Sequence, residues 1–181
     1  MKITLVRHGE TENNNKGIMQ GLSNELMNDR GRRQCKKLRS ELKDKHFDIC
    51  YMSPLVRAVE TAMILVGDRT PIVKDRRLIE RDLGELEGKD RSLYDINKYW
   101  DYKLNSNDKG VESIQSIEKR VRSFLEYISK KKEKDILIVT HSSIFRMLYH
   151  ILNNEDLSKS LEHIKVDNCD CKEFDIKKIK V

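Results

Sequence analysis

The chain of 181 residues contains only two prolines and eight glycines, and neither residue type clusters into a flexible linker. No stretch reaches 18 uncharged apolar residues, which excludes a membrane-spanning helix of ordinary length. The first residues, MKITLV, run directly into RHGE without the apolar core of a secretory signal, so we expect a cytoplasmic protein. We expect one compact domain over residues 1–181, because a domain usually has about 100 to 200 residues.

The four cysteines, Cys35, Cys50, Cys169 and Cys171, show neither CxxC spacing nor a neighbouring histidine pair. We therefore predict free thiols in a reducing compartment and no bound metal. Cys169 and Cys171 lie two residues apart on a candidate edge strand, so both would point to one face. Two ligands alone are too few for a metal centre.

Basic residues outnumber acidic ones by 36 to 30, but the resulting net charge of +6 is spread thinly along the chain. The densest basic cluster, residues 130–134, ends an amphipathic segment, where cations complement the helix dipole. A solvated helix end explains that cluster better than an anionic partner does. We predict neither nucleic acid nor membrane as a partner, and the sequence leaves the oligomeric state open.

Short apolar runs predict buried strands at residues 3–6, 48–52 and 136–139. The spacing of apolar residues predicts helices over residues 28–43, 55–66, 113–131 and 143–152, with Ser53 as the N-cap of the second helix. The weakly alternating residues 170–176 would add an edge strand. This order predicts an α/β fold with a mostly parallel sheet covered by helices on both faces.

The periodicity is lost over about residues 84–112, which we interpret as a short lid or insertion. The segment contains four aromatic residues, Tyr94, Tyr99, Trp100 and Tyr102. These side chains would either pack under the loop or stack on a substrate, and packing is the more common role.

The residues with the most distinctive chemistry follow the ends of predicted strands. Ligands of a parallel sheet bind at the carboxyl ends of its strands, where this pattern places Arg7, His8, His141 and Ser53. Arg57 lies one turn into the helix after Ser53, so its guanidinium would reach the same crevice. Such a cationic site suits an oxyanion, and arginines that supply the charge for phosphoryl transfer make a metal unnecessary.

Several motifs occur together in a fixed order: LVRHGETENN, SPLVRAVETA, ERDLGELEG and VTHSS, with RG at residues 30–31 and GVES at residues 110–113. This chain resembles the histidine phosphatase superfamily, the phosphoglycerate mutase-like group, over nearly its whole length. The resemblance implies the group's fold, with the parallel sheet between two helical layers. It also implies catalysis on phosphate esters by a histidine that becomes phosphorylated, without a metal or cofactor.

Residue by residue, the resemblance implies that His8 is the nucleophile and that Arg7, Arg57 and His141 hold the phosphate. Glu80 would be the general acid and base. The remaining predicted substrate-binding residues are Asn14, Ser142 and Gly21. The chain departs from the family pattern at Ser142, where glycine is common, and at the pocket-wall residues Asn13, Asn24 and Leu26.

Each assignment has a structural alternative. His8 and His141 would otherwise be satisfied core histidines, and Arg57 would pair with Glu60 on an exposed helix face. Glu80 would belong to a surface ion-pair cluster with Arg76, Arg77, Arg81 and Asp82. The other candidate acids are Glu85, Glu87 and Glu112.

A short polar lid leaves water near a phosphorylated histidine, so we expect hydrolysis of a small soluble phosphate ester. The first alternative is a phosphoglycerate mutase that depends on a bisphosphate activator. The second is a protein that binds phosphate esters without turnover, because Ser142 adds a side chain where the phosphate would approach.

Overall fold

The computed structural model describes residues 1–158 and 164–176, which form a layered α/β structure around one five-stranded sheet. The strands are β1 (Lys2–Arg7), β2 (Ile49–Met52), β3 (Ile72–Lys74), β4 (Asp135–Thr140) and β5 (Cys171–Asp175), in the spatial order β3-β2-β4-β1-β5. The first four strands are parallel, whereas β5 pairs antiparallel with β1. The predicted fold class, with its mostly parallel sheet and its added edge strand, is confirmed.

Six α-helices accompany the sheet in the described residues: α1 (Glu12–Lys16), α2 (Asp29–Glu41), α3 (Val56–Leu65), α4 (Ile96–Trp100), α5 (Ile114–Ser129) and α6 (Ser142–Leu152). The N-cap of α2 is Asn28, whose side chain accepts from the amide of Gly31. Ser113 caps α5 in the same way. The predicted helix ends therefore agree with the structure to within about two residues, the usual scatter between assignments.

One predicted cap is wrong. The N-cap of α3 is Leu55, not Ser53, and it makes no side-chain hydrogen bond to the helix. The first free amide of α3, that of Val56, donates instead to Oδ1 of Asn24, 2.8 Å away. The Ser53 hydroxyl accepts from the amide of Leu55 over 3.3 Å and also has a long-range partner, which lies in the site described below.

Alternate residues of the central strands point to opposite faces of the sheet, and each face is covered by helices. Ile3, Leu5 and Ile138 pack into one cluster with the apolar sides of α5 and α6. Val6 and Val139 pack into another cluster with residues of α2 and α3. Burying one such aliphatic side chain stabilises the folded chain by about 1.5 to 3 kcal/mol. Both helical layers therefore hold the strand ends in place.

The segment 84–112 contains three 3₁₀ turns and α4 instead of a continuous element. Its aromatic residues are mostly packed: Tyr99 and Trp100 are 3% and 2% exposed, and Tyr94 stacks on Tyr99 at a centroid distance of 5.0 Å. Tyr102 donates its hydroxyl to Glu118. These contacts favour the packing role over the substrate-stacking role for the aromatic side chains.

Cys169 does not lie on the predicted edge strand, although its side chain and that of Cys171 pack against the same hydrophobic cluster. Strand β5 begins at Cys171, and Cys169 lies in the preceding turn with a φ angle of +62°. All four cysteines are free thiols, as expected. None of the helices within the described residues is long and apolar enough to cross a membrane.

Candidate active site

Two histidines meet where β1 and β4 end side by side. Arg7 pairs in register with Thr140, so the next residues, His8 and His141, are neighbours across the sheet. Their ring centroids are 5.1 Å apart, with 57° between the ring planes. His8 is 2% exposed and His141 is fully buried. The convergence predicted for the two strand ends is therefore present.

The ring of His8 is held in one orientation by the backbone. Its Nδ1 lies 2.7 Å from the carbonyl oxygen of Gly9, which only accepts, so Nδ1 carries the proton and Nε2 carries the lone pair. The amide of Gly9 donates to Oγ1 of Thr61. Burial, followed by the positive charges of Arg57 and Arg7, lowers the pKa of His8 well below 6.5. His8 is thus a neutral imidazole with a free Nε2, the form that a nucleophile requires.

Gly9 is required because a larger residue has no room at this turn. A Cβ at this position would lie 2.6 Å from Sδ of Met27 and 2.7 Å from the carbonyl oxygen of Gly31. Gly31 is equally constrained, because its own Cβ would lie 2.2 Å from the carbonyl oxygen of Glu10. The RHGE and RG motifs therefore specify a close approach between the loop after β1 and α2.

His141 is fixed by hydrogen bonds at both ring nitrogens. Nε of Arg57 donates to Nδ1 over 3.2 Å, so Nε2 carries the proton and donates to Oγ of Ser53 over 2.7 Å. Burial, followed by the charges of Arg57 and His8, lowers the pKa of His141 well below 6.5. Both histidines are therefore neutral, and Ser53 is a site residue whose partner the sequence did not reveal.

Arg57 is 1% exposed and links three parts of the site. Besides His141, it donates through Nη2 to the carbonyl oxygen of Gly21 over 2.9 Å and through Nη1 to that of Ser23. Burial lowers its pKa to about 10, which still leaves it charged at neutral pH. The alternative pairing with Glu60 is wrong, because Glu60 accepts instead from Arg32 and from a backbone amide.

The loop held by Arg57 contains Gly21, which has a φ angle of +51°. A Cβ there would lie 1.9 Å from Oε1 of Glu87, so glycine is needed for the close approach as well as for the backbone conformation. The same carboxylate accepts from the amide of Leu22 over 2.6 Å. Glu87 therefore fastens this loop to the segment 84–112, and Glu85, the neighbouring candidate acid, is exposed.

Arg7 retains an unsatisfied donor. Its Nη1 donates to the carbonyl oxygen of Val166 over 2.7 Å, while its buried Nε has no hydrogen-bond partner within residues 1–158 and 164–176. Burial lowers its pKa to about 10, and the nearby carboxylate of Glu80 opposes that effect. A buried, charged guanidinium with a free N–H is suited to bind an anion.

Glu80 lies at the amino-terminal end of α6, beside His141. Its carboxylate accepts from the amide of Ser143, at 3.2 Å and 3.4 Å from its two oxygens, and from the amide of Arg81. The arginines near Glu80 in the sequence do not form a surface ion-pair cluster with it. Arg77 binds Asp75, and the fully buried Arg81 donates to oxygens of residues 94, 99 and 112. Glu80 therefore lies at the start of the helix that follows His141, and its charge acts on both Arg7 and Arg57.

The backbone around Glu80 is held by an ion pair that the sequence did not predict. Nε and Nη2 of Arg120 bind the two carboxylate oxygens of Glu112, each at 2.8 Å. Arg120 also donates to the carbonyl oxygens of Arg77, Ile79 and Glu80. This pair thus fixes the path of the chain that carries Glu80, and Glu112 has a structural partner of its own.

Asn14 and Ser142 lie at the margin of the site. The Asn14 side chain completes a capping box with Thr11 at the start of α1, and its Oδ1 also accepts from Asn168. Asn168 in turn donates to the carbonyl oxygen of His8. Ser142 is the first residue of α6 and is half-buried. Asn14 is thus connected to the loop that carries His8 through Asn168, which carried no motif signal.

The arrangement defines a class of site. Two neutral histidines and two buried arginines converge with a carboxyl group at the carboxyl ends of parallel strands, which suits nucleophilic attack on a tetrahedral oxyanion. Among the described residues, no group of three or more histidine, cysteine or acidic side chains could hold a metal ion. The site's own positive charge comes from arginine.

A comparison of the sequence with models of known protein families identifies the family to which the chain belongs. The model of the histidine phosphatase superfamily (branch 1) matches residues 3–180, and the chain belongs to this family. The resemblance carried by the sequence motifs is therefore confirmed over nearly the whole length. Within the superfamily, the chain is an enzyme of the phosphomonoesterase kind.

Among similar proteins, phosphoserine phosphatase 1 of Hydrogenobacter thermophilus is 34% identical over 167 residues, which cover 88% of this chain and 79% of that protein. A putative α-ribazole-5′-P phosphatase from Escherichia coli superimposes with a TM-score of 0.84 at 28% identity, over 98% of this chain and 91% of that one. A mutant of phosphoserine phosphatase from Entamoeba histolytica, solved with phosphoserine, superimposes with a TM-score of 0.82 at 25% identity over 95% of this chain and 89% of that one.

Proposed function

We propose that this enzyme hydrolyses a small, soluble phosphate monoester in two steps through a phosphorylated His8. The observation that carries the proposal is the hydrogen bond from Nδ1 of His8 to Gly9, which leaves the Nε2 lone pair free beside Arg57 and His141. A nucleophile held in one tautomer, next to fixed positive charge, has the two properties that phosphoryl transfer needs.

In the first step, Nε2 of His8 attacks phosphorus while the ester P–O bond breaks. Arg7, Arg57 and His141 surround the non-bridging oxygens, with Ser142, Asn14 and the loop at Gly21 lining the remaining pocket. Protonated Glu80 gives its proton to the departing alkoxide, so the alcohol leaves neutral. Its contact with the amide of Ser143, two residues after His141, supports this role.

In the second step, the Glu80 carboxylate takes a proton from water, and the water oxygen attacks the phosphorus of phosphohistidine. The P–N bond breaks, inorganic phosphate leaves, and His8 returns to its neutral form. The buried guanidinium groups of Arg7 and Arg57 supply the charge that a metal would otherwise provide, so we propose a metal-independent reaction without a cofactor.

The segment 84–112 acts in this proposal as a short lid within a single domain of residues 1–181. It contributes the Glu87 contact to the pocket loop, and its turns are too short to enclose an intermediate as a long insertion would. Water therefore reaches phosphohistidine, and hydrolysis prevails over return of the phosphoryl group to a second hydroxyl. The four free thiols support a reducing, cytoplasmic location.

The proposal is tested by assaying a panel of esters with purified enzyme and with His8→Ala. The panel contains p-nitrophenyl phosphate, phosphoserine, α-ribazole-5′-phosphate and 3-phosphoglycerate, and both inorganic phosphate and isomerised phosphoglycerate are measured. We expect release of phosphate, resistance of the activity to EDTA, and loss of turnover in His8→Ala. His46→Ala, which changes an exposed histidine far from the site, is the matched control.

Three outcomes would contradict the proposal. Phosphoglycerate isomerised much faster than phosphate is released would make the enzyme a mutase. Tight binding of phosphate esters without turnover would make the chain a binding protein. Turnover that persists in His8→Ala, or that requires an added metal ion, would place the chemistry at a different site.

A further inference from the structure

Two thiols lie together beneath the loop that carries His8. Sγ of Cys35, on α2, is 3.3 Å from Sγ of Cys169, in the turn before β5. The two residues are 134 positions apart, so the fold alone brings them together. Cys35 is completely buried, whereas Cys169 is half-buried and gives small molecules access to the pair.

Both cysteines touch the backbone next to the nucleophile. The amide of Cys169 donates to the carbonyl oxygens of Arg7 and His8, at 3.2 Å and 3.3 Å. On the other side of the loop, Sγ of Cys35 packs so closely under Gly9 that a Cβ there would lie 2.8 Å from the sulphur. A movement of either sulphur therefore acts on residues 7–9.

We propose that Cys35 and Cys169 form a peroxide-sensitive dithiol whose oxidation to a disulfide inactivates the site at His8. One sulphur, as a thiolate, gives an electron pair to a peroxide oxygen, so an S–O bond forms, the O–O bond breaks and hydroxide leaves. The second sulphur then attacks the first, so the S–S bond forms, the S–O bond breaks and water leaves. Overall, two thiols and one hydrogen peroxide give one disulfide and two waters.

The environment of the pair separates it from the other two cysteines. Hydrogen bonds with Cys169 and Thr61 lower the pKa of the Cys35 thiol, whereas the contact with Cys35 and burial raise the pKa of Cys169. Cys35 is therefore the sulphur of the pair that supplies the thiolate. Burial instead raises the pKa of Cys50 to about 12 and that of Cys171 to about 11. Cys50 and Cys171 therefore stay protonated near neutral pH and unreactive toward peroxide.

The disulfide would change the geometry of the nucleophile's loop. A disulfide has an S–S distance of about 2.05 Å, so the sulphurs must approach each other by about 1.3 Å. That movement draws the turn at Cys169 toward α2 and, through its amide, displaces the carbonyl groups of Arg7 and His8. A misplacement of about 1 Å in a catalytic group lowers the rate by up to about 100-fold, so we expect a loss of roughly 10- to 100-fold. This effect on activity rests on the proposed function.

The experiment uses the full chain, first reduced and then treated with increasing hydrogen peroxide. Mass spectrometry of the intact chain and of its peptides measures the disulfide, which removes about 2 Da and joins the peptides of Cys35 and Cys169. Hydrolysis of p-nitrophenyl phosphate is measured before peroxide, after peroxide and after dithiothreitol. Cys35→Ser and Cys169→Ser are compared with Cys171→Ser, which removes a half-buried thiol only two residues away.

We expect the wild-type chain and Cys171→Ser to form the disulfide, to lose activity and to regain it in dithiothreitol. Cys35→Ser and Cys169→Ser should form no such crosslink and should keep their own untreated activity at the same peroxide dose. Oxygen added to the cysteines without a crosslink, or a crosslinked chain as active as the reduced one, would overturn the proposal. A reduced chain without phosphatase activity overturns the proposed function instead, while the mass measurement still decides whether the disulfide forms.

Discussion

The floor and the wall of the site are built in different ways. The floor consists of residues that directly follow β1 and β4, with Arg57 from α3, and its histidines and arginine are almost completely buried. The wall is the segment 84–112, which contains three 3₁₀ turns and α4 and in which Leu93 and Leu104 are exposed. A rigid floor fixes the positions of the reacting groups, whereas a wall of short turns is free to vary. From this contrast we expect the floor to carry the proposed chemistry and the wall to select which ester is accepted.

The strongest test of the floor is Arg57→Ala. This change removes a charge at the phosphate and the hydrogen bonds that hold His141, Gly21 and Ser23, so we expect kcat/KM to fall by about 1,000-fold. Arg57→Lys should recover only a small part of the loss, because an ammonium group does not reproduce the three-way contact. The control is Arg33→Ala, an exposed arginine on α2. A loss of kcat/KM smaller than tenfold in Arg57→Ala, measured by steady-state kinetics, would show that Arg57 does not bind the phosphate.

Glu80→Gln tests the acid that lies between floor and wall. An amide has no proton to give to the leaving oxygen, so kcat for an alkyl phosphate should fall by about 100- to 1,000-fold. The loss should be much smaller with p-nitrophenyl phosphate, whose leaving group departs without protonation. Glu85→Gln, at an exposed acid five residues further along the chain, should change neither rate. Equal losses for both esters would show that Glu80 acts on something other than the leaving group.

The burial of the two histidines predicts a pH-dependent stability. Their pKa values lie well below 6.5 in the folded chain and near 6.5 in the unfolded chain. Above about pH 6.5 both states are neutral and the full stability is present. As the pH falls below 6.5, only the unfolded chain takes up protons, so the free energy of unfolding decreases by up to about 1.4 kcal/mol per pH unit for each histidine.

Urea unfolding between pH 7.5 and pH 5 measures this slope. His8→Asn should remove about half of the slope that the pair contributes, whereas His46→Ala, at an exposed position, should leave it unchanged. A stability that stays constant from pH 7.5 to pH 5 would show that the two imidazoles are not held neutral by the floor.

The smallest expected effect belongs to the wall. Arg91 is exposed on this segment, yet its positive charge is close enough to lower the pKa of Arg7. We expect Arg91→Ala to raise KM by about threefold with little change in kcat, since an exposed charge is screened by salt and touches no reacting atom. Lys103→Ala, at an exposed cation of the same segment, is the control. If Arg91→Ala lowered kcat as much as Arg57→Ala does, the wall would contribute to the chemistry as much as the floor.

The floor was predictable from the sequence because its signals are local. The apolar runs before His8 and His141 predict strands, and parallel strands end at the same edge of a sheet. The role of Ser53 was not predictable in this way. A serine before a proline is a normal helix-capping signal, but here its hydroxyl accepts from His141, 88 residues away.

The short elements and long-range contacts around the site were harder to predict, because they leave no local signal in the sequence. Strand β3 has only three residues with Val73 exposed, so its alternation is too short to detect. Arg120 occupies a position on α5 that is typical of a solvated helix face, yet it binds Glu112 and three carbonyl groups within residues 77–80. Contacts that depend on the packed fold leave no periodic trace in the chain.

The order of strands in the sheet has a consequence for synthesis of the protein. Strand β1, which leads into His8, is translated first, but its two neighbours are β4 and β5, at residues 135–140 and 171–175. The strand therefore has no partner on either edge until most of the polypeptide has left the ribosome. A nascent chain that stops before β4 lacks His141 and the strand that places it beside His8, so the proposed site is completed late in translation.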